Sequence, residues 1–178
     1  NPTLTHVTIT NNTADSHGGG MYLNSSNPVL SHVTITGNTA GNQGGGMRLV
    51  LSNPLLTHVT ISGNTADVSG GGMRLTDSNP ALSHVTISNN TAVLGGGMYL
   101  SSSNPTLTHV TIAGNTADWY GGVMYLNDSN PTLTNSIIWD NSPESIYLYS
   151  GDYSWIVGCS PIITYSDIED GWEGEGNI

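Results

Sequence analysis

Five of the six histidines of this 178-residue chain fall in one column of a repeated segment: His6, His32, His58, His84 and His109. Each opens a near-copy of "HVTIT", and neutral imidazole nitrogens are common protein ligands for Zn²⁺ and Cu²⁺. If the copies are adjacent strands, neighbouring rings stand about 4.8 Å apart and could share a metal ion. The competing reading is an exposed strand position copied along with its repeat, favoured because neither Cys nor carboxylate stands beside the column. Hydroxyls follow each His: Thr8 and Thr10, Thr34 and Thr36, then Thr60, Thr86 and Thr111. A flat Thr-x-Thr lattice could order ice, yet its second column fades through Ser62 and Ser88 to Ala113, and Thr also favours any exposed pleat.

A third column, Tyr22, Arg48, Arg74, Tyr99 and Tyr125, mixes aromatic rings with two guanidinium groups, and Trp119 sits in a nearby turn. Aromatic faces suit sugar rings and Arg suits acidic sugars, so this column is the candidate ligand-binding face. Stacking of Tyr and Arg across strands for stability alone is the alternative. Cleavage of acidic polysaccharides needs clustered carboxylates with a basic residue nearby. Asp15, Asp67 and Asp118 share a turn position but occur in alternate repeats, with Gly41 and Val93 between, and the chain has no Lys to serve as base. The C-terminal tail holds Asp167, Glu169, Asp170, Glu173 and Glu175 among glycines, a loop that could bind Ca²⁺, although it lacks the spacing of a calcium loop and acidic tails are usually solvated.

What positions these columns is a repeat. Pro2, Pro28, Pro54, Pro80, Pro105 and Pro131 follow one another at intervals of 26, 26, 26, 25 and 26 residues. So steady a period means stacked units, and the short unit loses its residue between "NTA" and "GGG", a turn that tolerates length change. Within a unit, Val7 with Ile9 and Met21 with Leu23 alternate with polar residues, the period of a strand, while Gly triplets and "SNP" punctuate turns. Strands recurring once per unit in one direction must pair in parallel. The expected fold is all-β, a right-handed single-stranded parallel β-helix (β-solenoid) of about six to seven coils, each of ~26 residues.

The alternation sends Leu4, Val7, Ile9, Met21 and Leu23 and their copies inward, and the His, Thr and Tyr/Arg columns outward. Asn12, Asn38, Asn64, Asn90, Asn115 and Asn141 stand at a bend three residues after each Ile, where stacked amides could bond to one another and to turn backbone as an Asn ladder. Residues 1–130 read as five regular coils. Residues 131–178 read as degenerate coils of the same domain, with "IYL" at Ile146–Leu148 replacing "MYL" and "PIITYSDI" opening a seventh coil before an acidic tail that caps the solenoid or leaves it.

Composition limits the functions this scaffold could serve. Thirteen acids against two Arg give a formal charge of −11, which excludes the basic footprint that nucleic acid requires. A lone Cys159 cannot close an intrachain disulfide. No apolar run is long enough to span a membrane and no secretion leader precedes Asn1. The chain starts inside a repeat without a polar cap, so it reads as a piece of something longer, prone to end-to-end self-association.

The tandem of "GGGM" with "ITNN" resembles the GGAI and FxxN signatures of bacterial right-handed parallel β-helix repeat proteins of cell surfaces, including the polymorphic outer-membrane protein repeats. "NSIIWDNSPESIY" looks like the last coils of such proteins. The resemblance covers essentially the whole chain. It implies a secreted or surface-displayed passenger, often adhesive, and carries no catalytic motif to transfer. The combined reading is a non-catalytic extracellular stalk or adhesin, with extracellular glycan or a neighbouring cell surface as partner. Its alternatives are a polysaccharide lyase or hydrolase and an ice-binding protein.

Overall fold

In the computed structural model, which describes residues 1–143, 146–149, 158–169 and 171–178, one coil carries four short strands. The first coil contains β1 (Thr3–Thr5), β2 (Thr8–Thr10), β3 (Thr13–Ala14) and β4 (Met21–Asn24). The second repeats them as β5 (Val29–Ser31), β6 (Thr34–Thr36), β7 (Thr39–Ala40) and β8 (Met47–Val50). Each strand pairs in parallel with its copy in the next coil, Leu4 with Leu30, Ile9 with Ile35 and Met21 with Met47, so side chains of one column stack along the axis. Four parallel sheets result, of seven, seven, five and six strands. The molecule is an all-β parallel β-helix.

The corners between strands explain the sequence locally. His6 takes a φ of 54° and Asn11 a φ of 55°, left-handed conformations that break the strand and turn the chain without a loop. The same conformation recurs at His32, His58, His84 and His109, and at Gly37, Gly63 and Gly114. The histidines therefore occupy a bend between the first and second sheets, not a strand position. Asn and His tolerate this region better than β-branched residues, which is one local reason for the column. Leu4 belongs to a strand of its own, so each coil has two more strands than its two alternating stretches suggested.

The Gly triplets turn the chain tightly: the first glycine of each is left-handed, with φ of 64° at Gly18, 70° at Gly44, 69° at Gly70 and 64° at Gly95, and each N–H still bonds to a carbonyl of the next coil, as Gly44 to Ser69 at 3.0 Å and Gly45 to Gly70 at 3.1 Å. A Cβ on Gly45 would meet the carbonyl oxygens of Gly71 and Thr65 at 2.5 Å, so only glycine fits where two walls of the solenoid close on each other. Inside, Leu30, Val33, Ile35, Met47 and Leu49 and their copies form one continuous buried stack. The 25-residue unit rejoins the register through a bulge between Ala92 and Leu94.

The final coil opens with Ile162–Thr164, paired to Thr132–Thr134, and Asp167–Ile168, paired to Ile137–Trp139. The tail then caps it. Asn177 Oδ1 accepts the Ser166 N–H at 3.0 Å, its amide donates to the Ile163 carbonyl at 2.9 Å, and Tyr165 N–H donates to the Glu175 carbonyl at 2.7 Å.

Candidate functional site

The Asn column has every amide valence engaged in its interior coils. Asn64 Oδ1 accepts from the Asn38 N–H at 2.9 Å and from Asn38 Nδ2 at 3.0 Å, while Asn64 Nδ2 donates to Asn90 Oδ1 and to the Ile35 carbonyl, both at 3.0 Å. The pattern runs from Asn12 through Asn38, Asn90 and Asn115 to Asn141. Asn38, Asn64, Asn90 and Asn115 are completely buried. Two further ladders escaped the sequence reading. Ser52, Ser78, Ser103 and Ser129 are buried, each hydroxyl accepting the N–H of the Ser one coil earlier and donating to a carbonyl two residues back in its own coil. Asn27, Asn53, Asn79 and Asn104 form an exposed ladder whose side chains accept from the following coil, opposite in direction to the buried one. The recurrent "SNP" was the available signal, and it reads first as turn punctuation.

The imidazoles of His6, His32, His58, His84 and His109 stack face to face on the surface, with centroids 4.8–5.0 Å apart and planes within 15°. Metal coordination uses lone pairs lying in the ring plane. In parallel rings these point side by side, and a shared ion would need nitrogens within about 4.2 Å of one another. Two of the rings instead contact a neighbouring hydroxyl, His32 with Ser31 and His84 with Ser83, at 2.9 Å through Nδ1. Among the described residues no three His, Cys, Asp or Glu converge in a metal-ligand cluster. Asp167, Glu169 and the tail do not converge either: Glu169 accepts the Asp140 N–H and Glu175 accepts the Tyr165 hydroxyl, both at 2.5 Å. That hydroxyl bond pushes the Tyr165 phenol pKa up. Asp170 lies outside the described residues.

Thr8, Thr34, Thr60, Thr86 and Thr111 lie in one register on the second sheet, and Thr10 and Thr36 in the next column of it. Thr36 and Ser62 hydroxyls satisfy each other at 3.2 Å. The two columns end at Ile137 and Trp139, both half exposed. In the regular coils the turn carboxylates of alternate units are well separated. Asp15, Asp67 and Asp118 are exposed and stand two coils apart, about 10 Å, beyond the ~5–9.5 Å that carboxylate pairs of glycoside-cleaving enzymes span. A shallow depression at the C-terminal coils is lined by Asn135, Ile137, Tyr165 and Asp167, with Asp167 its one lining acid.

The Tyr/Arg column departs most from the outward platform expected of it. Tyr22, Arg48, Arg74, Tyr99, Tyr125 and Tyr147 stand in one register on the fourth sheet. Tyr22 is 51% exposed, but Arg48 is only 8% and Tyr125 only 7% exposed. The reason is that long planar side chains repeated at the strand spacing lie on one another's faces: Tyr99 on Tyr125 at 4.6 Å, Tyr125 on Tyr147 at 5.0 Å, and Arg74 over Tyr99 at 3.9 Å. Ring faces already stacked cannot also stack on sugar. Their edges, the Tyr22 ring and Trp119, which is 66% exposed, remain available to a ligand. Burial and the surrounding tyrosines push the Tyr125 phenol pKa up. Desolvation lowers the guanidinium pKa values of both arginines, Arg74 to about 10 with a contribution from the Arg48 charge. Cys159 is half-buried against the core with its Sγ 3.9 Å from the Tyr149 carbonyl, a packing position.

Stacked parallel coils of about 26 residues and side-chain ladders at their corners define a β-helix repeat protein. The sequence as a whole agrees: residues 1–96 and 93–174 match the family described as right handed beta helix region, and the chain belongs to it. No curated protein matches the chain.

Proposed function

We propose that this chain is a non-catalytic β-helical segment of a secreted or cell-surface protein, bacterial in origin, serving as a rigid stalk whose outer faces make adhesive contacts with extracellular glycans. The observation that carries the reading is the continuity of the Asn and Ser ladders, which join coil to coil through buried hydrogen bonds and stiffen the solenoid along its axis. A repeat built in this way transmits position over length, the property a stalk needs. The spacing of Asp15, Asp67 and Asp118 in alternate regular coils argues against cleavage of a bound polymer there. Antibodies raised against the folded chain test the placement. They are expected to label intact, unpermeabilised cells of the source organism or to detect the protein in the medium, and labelling only after permeabilisation would overturn it.

A further inference from the structure

We infer that Arg48 and Arg74 form a paired guanidinium site for the oxyanion of a bound polymer, a carboxylate or sulfate group of an acidic polysaccharide. The proposal rests on the adhesive reading above and names its ligand class. Arg48 and Arg74 are the only cationic side chains that the sequence offers apart from histidine, and they stand directly beside each other, paired across adjacent strands. Stability does not call for them. The same column holds Tyr in the first, fourth, fifth and sixth coils, and in the last three of these the rings stack on one another. Placing two like charges at one strand spacing, largely out of water, is costly unless each is paired.

Among the described residues no hydrogen bond joins either guanidinium to a carboxylate. Hydrogen bonding inside the protein engages Nη1 alone, Arg48 with the Leu49 carbonyl at 2.8 Å and Thr76 Oγ1 at 2.9 Å, and Arg74 with the Leu75 carbonyl at 2.8 Å. The Nε atoms of both are buried without a partner, and among the described residues no hydrogen bond involves either Nη2. The Nη1 bonds hold each guanidinium against its own strand, and the Tyr99 ring supports Arg74 from below. The Nη2 donors of two adjacent guanidinium groups are the ones left for the oxygens of a carboxylate or sulfate, whose charge would neutralise the repulsion between them. A local arrangement that breaks the stability rule its neighbours obey is where binding is expected.

The test compares wild type with Arg48→Tyr/Arg74→Tyr, a variant whose side chains already occupy this column elsewhere, by affinity electrophoresis in gels containing polygalacturonate, a sulfated galactan or a neutral glucan. Wild type is expected to be retarded by both acidic polymers, and the double variant to bind them at least about tenfold more weakly while melting no lower. The Arg48→Lys/Arg74→Lys variant keeps the charge but loses the forks and is expected to fall between. Equal retardation of wild type and the Tyr variant by acidic polymers, or none of wild type, overturns the proposal. Retardation by the neutral glucan alone would leave the adhesive reading standing while sinking this one.

Discussion

Replacing Asn64 with Ala removes one step of the buried ladder, and the hydrogen bonds determine what that costs. The Asn38 N–H and one Asn38 amide hydrogen lose their acceptor where water does not reach, while the Ile35 carbonyl loses the Asn64 amide but stays in the ladder with the neighbouring strand. A buried polar group left unsatisfied costs about 1–3 kcal/mol, so two predict a loss of about 2–6 kcal/mol. For a chain of this length that is a fall in melting temperature of roughly 4–24 °C. Asn53→Ala is the control, because Asn53 Oδ1 accepts only the Asn79 N–H at an exposed corner, where water can replace it at a cost under about 1 kcal/mol. Melting and urea unfolding followed by far-ultraviolet circular dichroism compare the two variants. If Asn64→Ala costs no more than Asn53→Ala, the ladder does not hold the coils together and the argument for axial stiffness fails.

Two further outcomes are expected. The raised Tyr125 phenol makes the fold sensitive to alkali. Its contribution is complete below about pH 10, where the unfolded phenol titrates, and is lost as pH climbs through the higher folded value. Arg74, lowered to about 10, acts oppositely: its buried charge weighs against the fold below that pH, and stability is regained as pH rises above it. The absorbance change of Tyr125 ionisation, isolated by difference against Tyr125→Phe, should coincide with loss of the β signal; ionisation in a folded chain would contradict the burial. Thermal hysteresis should be absent from wild type and from Thr34→Tyr alike, because the Thr lattice gives way to Ile137 and Trp139, and hysteresis lost in the variant would revive ice binding.

The fold was legible because one period governs the whole chain. Proline spacing gave the coil length, and alternation at Val7, Ile9, Met21 and Leu23 gave the inner face, all from local sequence. What alternation does not encode is how a long side chain lies once it has left the strand. Arg48 and Tyr125 do point away from the core, but stacking along the axis then hides them, an effect of neighbours 26 residues distant. The bend positions failed for a related reason. His6 reads as a strand residue because its neighbours alternate, and only its left-handed φ shows that it turns the chain. The Ser ladder was hidden in a motif already explained as a turn, and the capping tail has no repeat to be compared with.

The central claim is that the outer surface binds polymers without cutting them. Purified protein run through gels containing neutral and acidic polysaccharides, with the polymers sized before and after prolonged incubation, tests it most directly. The account predicts retardation by acidic polysaccharides and polymer lengths that do not change. Shortened chains would contradict it and would point to a catalytic centre outside the regular coils, whose Asp15, Asp67 and Asp118 stand two coils apart.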